Sequence, residues 1–323
     1  MKKITVSAPG KLMLFGEHAV VYGRLCIVTA VDQRMEATVE LTNQPIFQLN
    51  APNVEITDYQ KPMSDLGQSD IPKGAKFVEI AIKNFISSFP TGGGIKVTTS
   101  SQFSSKFGFG SSSASTVCVI FALSKILGIN LDQKAIFDLC YKTVLDIQGV
   151  GSGFDIAAAI YGGTLLYLTG GKVIETIKIS SLPLIVGYTG IKADTTTIVK
   201  ETQKRVEKYP QFYNGAFDLI EEISLNAKPA MLKKDYQTLG ELMNINQGYL
   251  EAMEVSSNKL SNLIYAARDT GAYGAKLSGA GIGDCMIAIA PPYKIKAVEN
   301  SITKAGGHII KIKTNAQGVR IES

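Results

Sequence analysis

The pattern of apolar and polar positions divides the chain into short strands and amphipathic helices. Alternating or continuous apolar runs predict strands at 4–8, 12–15, 26–31, 35–41, 94–100, 164–168, 173–179, 184–188 and 308–313. Apolar positions at helical spacing predict helices at 75–85, after residue 110, at 132–147, in several stretches of 195–267 and at 294–304. Because strands and helices are intermixed without strict alternation, the pattern favours the α+β class.

Breaks in this pattern predict where the chain turns and divides. Pro9 and Gly10 separate the first two predicted strands, and residues 42–74 are polar with scattered Pro and Gly, which is typical of a long loop. A change of domain is predicted at 180–183, so that residues 1–182 form one domain and residues 183–323 a second.

Composition narrows the class of protein. A chain of 323 residues with 45% hydrophobic residues can bury a large core, and its net charge of +5 suits small acidic substrates. Basic residues form no block and do not alternate with aromatic ones, so the sequence predicts no nucleic-acid partner. The four cysteines lie far apart and no apolar run is long enough for a membrane, which together predict a cytoplasmic protein with reduced thiols.

Residues 107–123 carry the first chemical signal, the glycine-serine run F-G-F-G-S-S-S-A followed by small and apolar residues. Glycines let the backbone approach a ligand closely, and the N–H groups at the start of a helix favour an anion. These residues match neither standard nucleotide-binding pattern. A helix whose serines merely cap its first turn is therefore an equally simple interpretation of this run alone.

Two further glycine motifs change that balance. S-A-P-G-K-L-M-L-F-G-E-H-A-V-V-Y-G at 7–23 and K-L-S-G-A-G-I-G-D-C at 276–285, together with F-G-F-G-S-S-S-A at 107–114, resemble the three motifs of the GHMP small-molecule kinases. Within that family the first motif, T-G-I-K-A-D-T-T-T-I-V at 189–199 and L-M-N-I-N-Q-G-Y-L at 242–250 are most similar to mevalonate kinases. The resemblance implies a ribosomal-protein-S5-like N-terminal domain and a ferredoxin-like C-terminal domain, with ATP and Mg²⁺ as cofactors.

The resemblance also implies roles for residues of all three motifs and of a second glycine turn. Asp155 matches the catalytic aspartate of the family, Lys11 matches the lysine that pairs with it, and the hydroxyl of Ser112 is expected on Mg²⁺. ATP phosphates are expected to contact a set of loop residues from both domains, namely Gly108, Phe109, Gly110, Ser111, Ser112, Ser113, Gly279, Ala280 and Gly281.

The acceptor alcohol is expected to contact Glu17, His18, Thr195 and Lys192. A carboxylate such as Asp155 can accept the proton of the alcohol, while a nearby ammonium keeps that carboxylate ionised. Asp155 could instead be a simple helix cap, since aspartates after glycine commonly are. The joint presence of three motifs favours the catalytic interpretation.

The sequence departs from the mevalonate-kinase pattern at two places. Val144 stands where the family's second Mg²⁺ ligand, a glutamate, is expected, and Asp146 faces a different side of the predicted helix. The turn Q-G-V-G-S-G-F-D-I-A-A-A-I-Y-G-G at 148–163 and the G-D-C of the third motif are more similar to phosphomevalonate kinases.

The expected activity is therefore ATP-dependent phosphorylation of the primary hydroxyl of mevalonate in isoprenoid biosynthesis. Phosphomevalonate as the acceptor is the first alternative, and a non-catalytic nucleotide or metabolite sensor is a second. Such a sensor is expected to lack Lys11 or Asp155, and both are present. Mevalonate and ATP are the expected small-molecule partners, and a homodimer is left open.

Overall fold

A computed structural model describes residues 2–323, and one long strand organises the first sheet. β2 (Cys26–Thr42) pairs antiparallel with β1 (Lys3–Phe15) along one edge. Along its other edge it pairs with β6 (Thr164–Leu168) and β5 (Gly94–Ser101). The break predicted at residues 9–10 is wrong, because β1 passes through Pro9 and Gly10 with a shift of register against β2 and stays one strand.

Four more strands complete the first sheet: β3 (Ile46–Ala51), β4 (Ile56–Pro62), β7 (Val173–Ile177) and β12 (Arg320–Ile321). The strand order is β12-β1-β2-β5-β3-β4, and β6 and β7 extend it beside β2. β3 runs parallel to β5, whereas β4 pairs antiparallel with β3.

The loop predicted over residues 42–74 is thus wrong in its first half. β3 buries Phe47, Leu49 and Ala51, which alternate with half-buried or exposed residues in the two-residue period of a strand. One partner of this strand is the neighbouring β4, but the other is β5, more than forty residues later, and that pairing is not visible in the local sequence.

The second sheet has four antiparallel strands in the order β11-β8-β10-β9. Their bounds are Leu184–Tyr188 for β8, Gly274–Ser278 for β9, Cys285–Ile289 for β10 and His308–Ile310 for β11. Every residue of β9 and β10 is buried, because helices cover this sheet. β11 ends at Ile310, three residues before the end at 313 that the sequence predicts for this strand.

Nine α-helices lie between the strands along residues 2–323. The first four, α1 (Lys76–Ser88), α2 (Ser111–Ile126), α3 (Gln133–Gln148) and α4 (Phe154–Tyr161), form a layer on the first sheet. The other five are α5 (Thr195–Lys208), α6 (Pro210–Lys233), α7 (Tyr236–Ala252), α8 (Asn258–Asp269) and α9 (Ile295–Lys304). None of the helices in residues 2–323 combines the length and apolar character that crossing a membrane requires.

Two segments of chain connect the sheets. The chain leaves the first sheet after β7 to enter β8, and it returns after β11 so that β12 pairs with β1. Buried Arg34 of β2 holds the returning segment by donating to Gln317 O (2.8 Å) and Gly318 O (2.9 Å). The predicted α+β class is confirmed by the two sheets and their helices, while the predicted domain limit at 182/183 stays a prediction.

Candidate active site

The glycine-serine loop lies at the start of α2, as the sequence predicts. Gly108 and Gly110 both have positive φ angles (72° and 79°), so a side chain would strain either position. Gly110 is the N-cap of α2 and no side chain caps this end, so the serines do not serve as caps. The first N–H groups of α2 therefore remain available, and with the helix dipole they favour an anion.

Lys11 and Asp155 both lie next to Gly110. A Cβ atom added to Gly110 would be 3.3 Å from Lys11 Cγ and 3.5 Å from Asp155 Cβ. β1 supplies Lys11, whose backbone N–H donates to Phe109 O (3.0 Å), and the first turn of α4 supplies Asp155. The structure therefore brings both predicted catalytic residues to the glycine-serine loop.

Their hydrogen bonds differ from the predicted direct pairing. Lys11 Nζ donates to Gly108 O (2.8 Å) and lies 5.1 Å from the centre of the Phe154 ring. Asp155 Oδ2 accepts from Ser113 Oγ (2.5 Å), and its Oδ1 accepts from the N–H of Ile156 (3.0 Å). Asp155 is not the cap of α4, because Gly153 occupies that position. Ser113 thus orients the carboxylate, a contact that the sequence does not predict.

The side chains considered as Mg²⁺ ligands lie in different surroundings. Ser112 is exposed in the first turn of α2, next to the free N–H groups. Val144 is buried and carries no ligand atom, and Gly151 packs beside it. Asp146 Oδ2 accepts from Lys142 Nζ (2.7 Å) and Asn84 Nδ2 (2.9 Å), and these hydrogen bonds lower the pKa of Asp146. Asp146 therefore forms a surface ion pair within α3 and a hydrogen bond to Asn84 of α1.

The third glycine loop lies against the first motif. Gly279 and Gly281 have φ angles of 101° and 86°, and a Cβ atom on Gly281 would be 1.9 Å from Val255 O. His18 Nε2 donates to Ala280 O (2.9 Å), and Ser278 Oγ donates to Met13 O (2.8 Å). These contacts fix the loop of the second sheet to the end of β1.

Glu17 is not where its predicted role requires. Its side chain is fully buried and forms an ion pair with fully buried Lys276 of β9. Lys276 Nζ also donates to Leu277 O (2.7 Å), while Glu17 Oε2 has no hydrogen-bond partner. Burial raises the pKa of Glu17 and lowers that of Lys276, and their mutual attraction opposes both shifts. In this structure Glu17 joins the two sheets and has no exposed atom for an acceptor to contact.

Lys192 and Thr195 are exposed on the segment between β8 and α5. Asp194 caps α5 by accepting from the backbone N–H of Thr197 (3.4 Å), so Thr195 is the first helical residue. Buried Asp284 fixes this segment by accepting from the N–H of Ala193 (2.9 Å). The sequence shows Asp284 in the third motif, but its local pattern does not indicate that the carboxylate reaches this segment.

Comparisons with known proteins agree with the three motifs. The profile "GHMP kinases N terminal domain" matches residues 76–163, and "GHMP kinases C terminal" matches residues 227–308. The mevalonate kinase of Pyrococcus furiosus is 36% identical to this chain over 99% of it and 98% of the relative.

Solved structures give the same result. The L. major mevalonate kinase in complex with R-mevalonate superposes with a TM-score of 0.78 at 26% identity, covering 97% of this chain and 96% of that one. For the Methanococcus jannaschii mevalonate kinase the TM-score is 0.81 at 25% identity, with 97% and 98% covered. The predicted two-domain fold is confirmed by these likenesses, and the chain belongs to the GHMP kinase family.

Proposed function

We propose that this kinase transfers the γ-phosphoryl group of ATP to the primary hydroxyl of mevalonate, giving 5-phosphomevalonate and ADP. The observation that carries the proposal is that Lys11 and Asp155 both lie next to Gly110. They lie at the phosphate loop of a chain that is similar over its whole length to a mevalonate kinase. A site for phosphoryl transfer needs an anion cradle, a proton acceptor and a cation. The first N–H groups of α2 would supply the cradle, Asp155 the proton acceptor and Lys11 the cation.

Asp155 is the proposed proton acceptor. Ser113 and the N–H of Ile156 hold its two oxygens, so the carboxylate has a fixed orientation before the acceptor arrives. As the acceptor oxygen forms its bond to the γ-phosphorus, the bond from phosphorus to the ADP oxygen breaks and the hydroxyl proton passes to Asp155. Lys11 supplies a positive charge beside the loop that favours the charge developing on the phosphoryl oxygens.

Mg²⁺ use is also part of the proposal. The exposed Ser112 hydroxyl beside the free N–H groups of α2 suits the ion, since Mg²⁺ prefers oxygen ligands and retains several waters. When bound with ATP, Mg²⁺ offsets negative charge on the phosphate oxygens. Val144 cannot contribute to the site and Asp146 is committed to Lys142 and Asn84. Among residues 2–323 there is no group of three or more His, Cys, Asp or Glu side chains suited to a metal.

Mevalonate is the proposed acceptor because the exposed segment after β8 carries few cations. A phosphorylated acceptor brings a dianion and needs several Lys or Arg partners. Lys192 is exposed there, and the carboxylate of Asp194 beside it offsets part of its charge. Phosphomevalonate stays the second candidate, favoured by the G-D-C at 283–285 and the turn at 148–163.

Steady-state kinetics with the two acceptors side by side test this choice. We expect kcat/KM to be at least ~100-fold lower with phosphomevalonate, as for an unpaired dianion in a site with few cations. Lys192→Ala is expected to raise the KM for mevalonate and leave the KM for ATP unchanged. Lys200→Ala, on an exposed lysine of α5, is the matched control and is expected to change neither value. A preference for phosphomevalonate would overturn the assignment.

A cytoplasmic location is the remaining part of the proposal. All four cysteines, Cys26, Cys118, Cys140 and Cys285, are buried free thiols. Free thiols are typical of proteins in reducing compartments. Mass spectrometry after alkylation of the unfolded protein tests this, and the expected result is four modified cysteines without prior reduction.

A further inference from the structure

Asp284 places a carboxylate oxygen at the phosphate loop from the opposite domain. The side chain has a relative exposure of 6%, and its Oδ1 accepts from the N–H of Ala193 (2.9 Å). Its Oδ2 forms no hydrogen bond with any of residues 2–323. A Cβ atom added to Gly108 would be 2.4 Å from this oxygen, so Asp284 Oδ2 lies directly against the loop.

The backbone holds Asp284 in this position in a strained conformation. Its φ angle is 56°, in the left-handed region that non-glycine residues seldom adopt. Its own N–H donates to Ile191 O (2.7 Å), and the N–H of Thr189 donates to Asp284 O (2.9 Å). Backbone strain that surrounding hydrogen bonds maintain is frequent where a side chain must be held for function.

A carboxylate beside a phosphate-binding loop repels a triphosphate unless a cation lies between them. Burial raises the pKa of Asp284, while Ala193 N–H, Lys11 and Lys192 act in the opposite direction. Lys11 Nζ already donates to Gly108 O, so it is shared with the loop. A divalent cation bound with the nucleotide would neutralise the carboxylate and the phosphates together.

The expected metal site also lacks a carboxylate. Val144 is apolar, and Asp146 lies in an ion pair with Lys142. We propose that Asp284 supplies a carboxylate ligand, from the second sheet, to the Mg²⁺ that accompanies ATP. This proposal rests on the proposed use of Mg²⁺ at Ser112, and it makes the metal a link between the two domains.

Calorimetric titration with the non-hydrolysable ATP analogue AMPPNP tests the proposal without turnover. The affinity is measured with Mg²⁺ and with EDTA, for the unchanged protein and for Asp284→Asn, Ser112→Ala and Asp146→Asn. Asparagine keeps the acceptor for Ala193 N–H and tolerates a positive φ angle, so Asp284→Asn is expected to fold. Mn²⁺ binding with AMPPNP, followed by electron paramagnetic resonance, gives a direct readout of the metal.

The expected result concerns the ratio of the two affinities. In the unchanged protein, AMPPNP should bind more tightly with Mg²⁺ than with EDTA. In Asp284→Asn this ratio of affinities should be smaller by ~10-fold or more, as for loss of a group that holds a metal. Asp146→Asn should leave the ratio unchanged. The double variant Asp284→Asn with Val144→Glu should recover part of it.

Three outcomes would overturn the role of Asp284. Tighter binding in both solutions would make Asp284 only a repulsive charge, and equally weaker binding in both would make it only a domain contact. An unchanged ratio in Asp284→Asn with a lowered ratio in Ser112→Ala would leave the Ser112 site standing and remove Asp284 from it. An unchanged ratio in both variants would instead overturn the proposed Mg²⁺ site itself.

Discussion

Replacing Lys276 by methionine should destabilise the protein strongly, because it leaves Glu17 as an unpaired buried charge. Both side chains have no exposed surface, and Glu17 Oε2 has no partner even in the intact pair. Removing one member of such a pair costs about 3–5 kcal/mol of the free energy of unfolding. The double variant Lys276→Met with Glu17→Gln carries no buried charge and should recover ~2 kcal/mol or more of that loss.

The pH dependence of Lys276→Met gives a second readout. Burial raises the pKa of Glu17, and without Lys276 no cation opposes that shift. The folded variant then binds the proton of Glu17 more tightly than the unfolded chain does, so protonation favours folding. The deficit relative to the unchanged protein is therefore complete above the raised pKa and shrinks as the pH falls through it.

Urea unfolding followed by circular dichroism, at about pH 5 and about pH 8, measures both effects. Lys142→Met is the matched control, since it removes a lysine from an exposed ion pair and should cost ~1 kcal/mol or less. A loss below ~1 kcal/mol in Lys276→Met, or a double variant no more stable than it, would refute the reasoning.

Three other substitutions test the loop and the catalytic carboxylate. Asp155→Asn should lower kcat by ~100-fold or more while AMPPNP affinity is retained, and a kcat near that of the unchanged enzyme would contradict its role as proton acceptor. Ser113→Ala removes a hydrogen bond to a charged group, worth roughly 1.5–3 kcal/mol, so kcat should fall ~10-fold with the KM for ATP unchanged. Gly108→Ala places a methyl group against Asp284 at positive φ and should cost about 1–2 kcal/mol in urea unfolding; equal stability would argue against the close approach of the two domains.

The glycine loops and most helices could be predicted from sequence because their signals are local. Gly108 and Gly110 need positive φ angles that few other residues adopt, and the apolar periodicity of 132–147 lies within one helix. The helical bounds at Pro210 likewise follow from the fixed φ of proline, which suits the first turn of α6.

The features that sequence did not predict depend on distant partners. β3 becomes a strand because β5 offers it a parallel edge, and residues 9–10 remain in one strand because β2 pairs on both sides of them. Glu17 is expected in an open site from its motif alone, but Lys276 lies 259 positions away and buries it. Asp284 likewise lies far from Gly108 in sequence, so its free oxygen at the loop follows only from the packing of the two sheets.

The return of β12 to the first sheet limits how the enzyme can open. A single connection would let the second sheet rotate about several axes, whereas here the chain crosses after β7 and crosses back before β12. Two crossings therefore restrict the relative rotation of the two sheets more than a single connection would, in addition to the buried ion pair of Glu17 with Lys276.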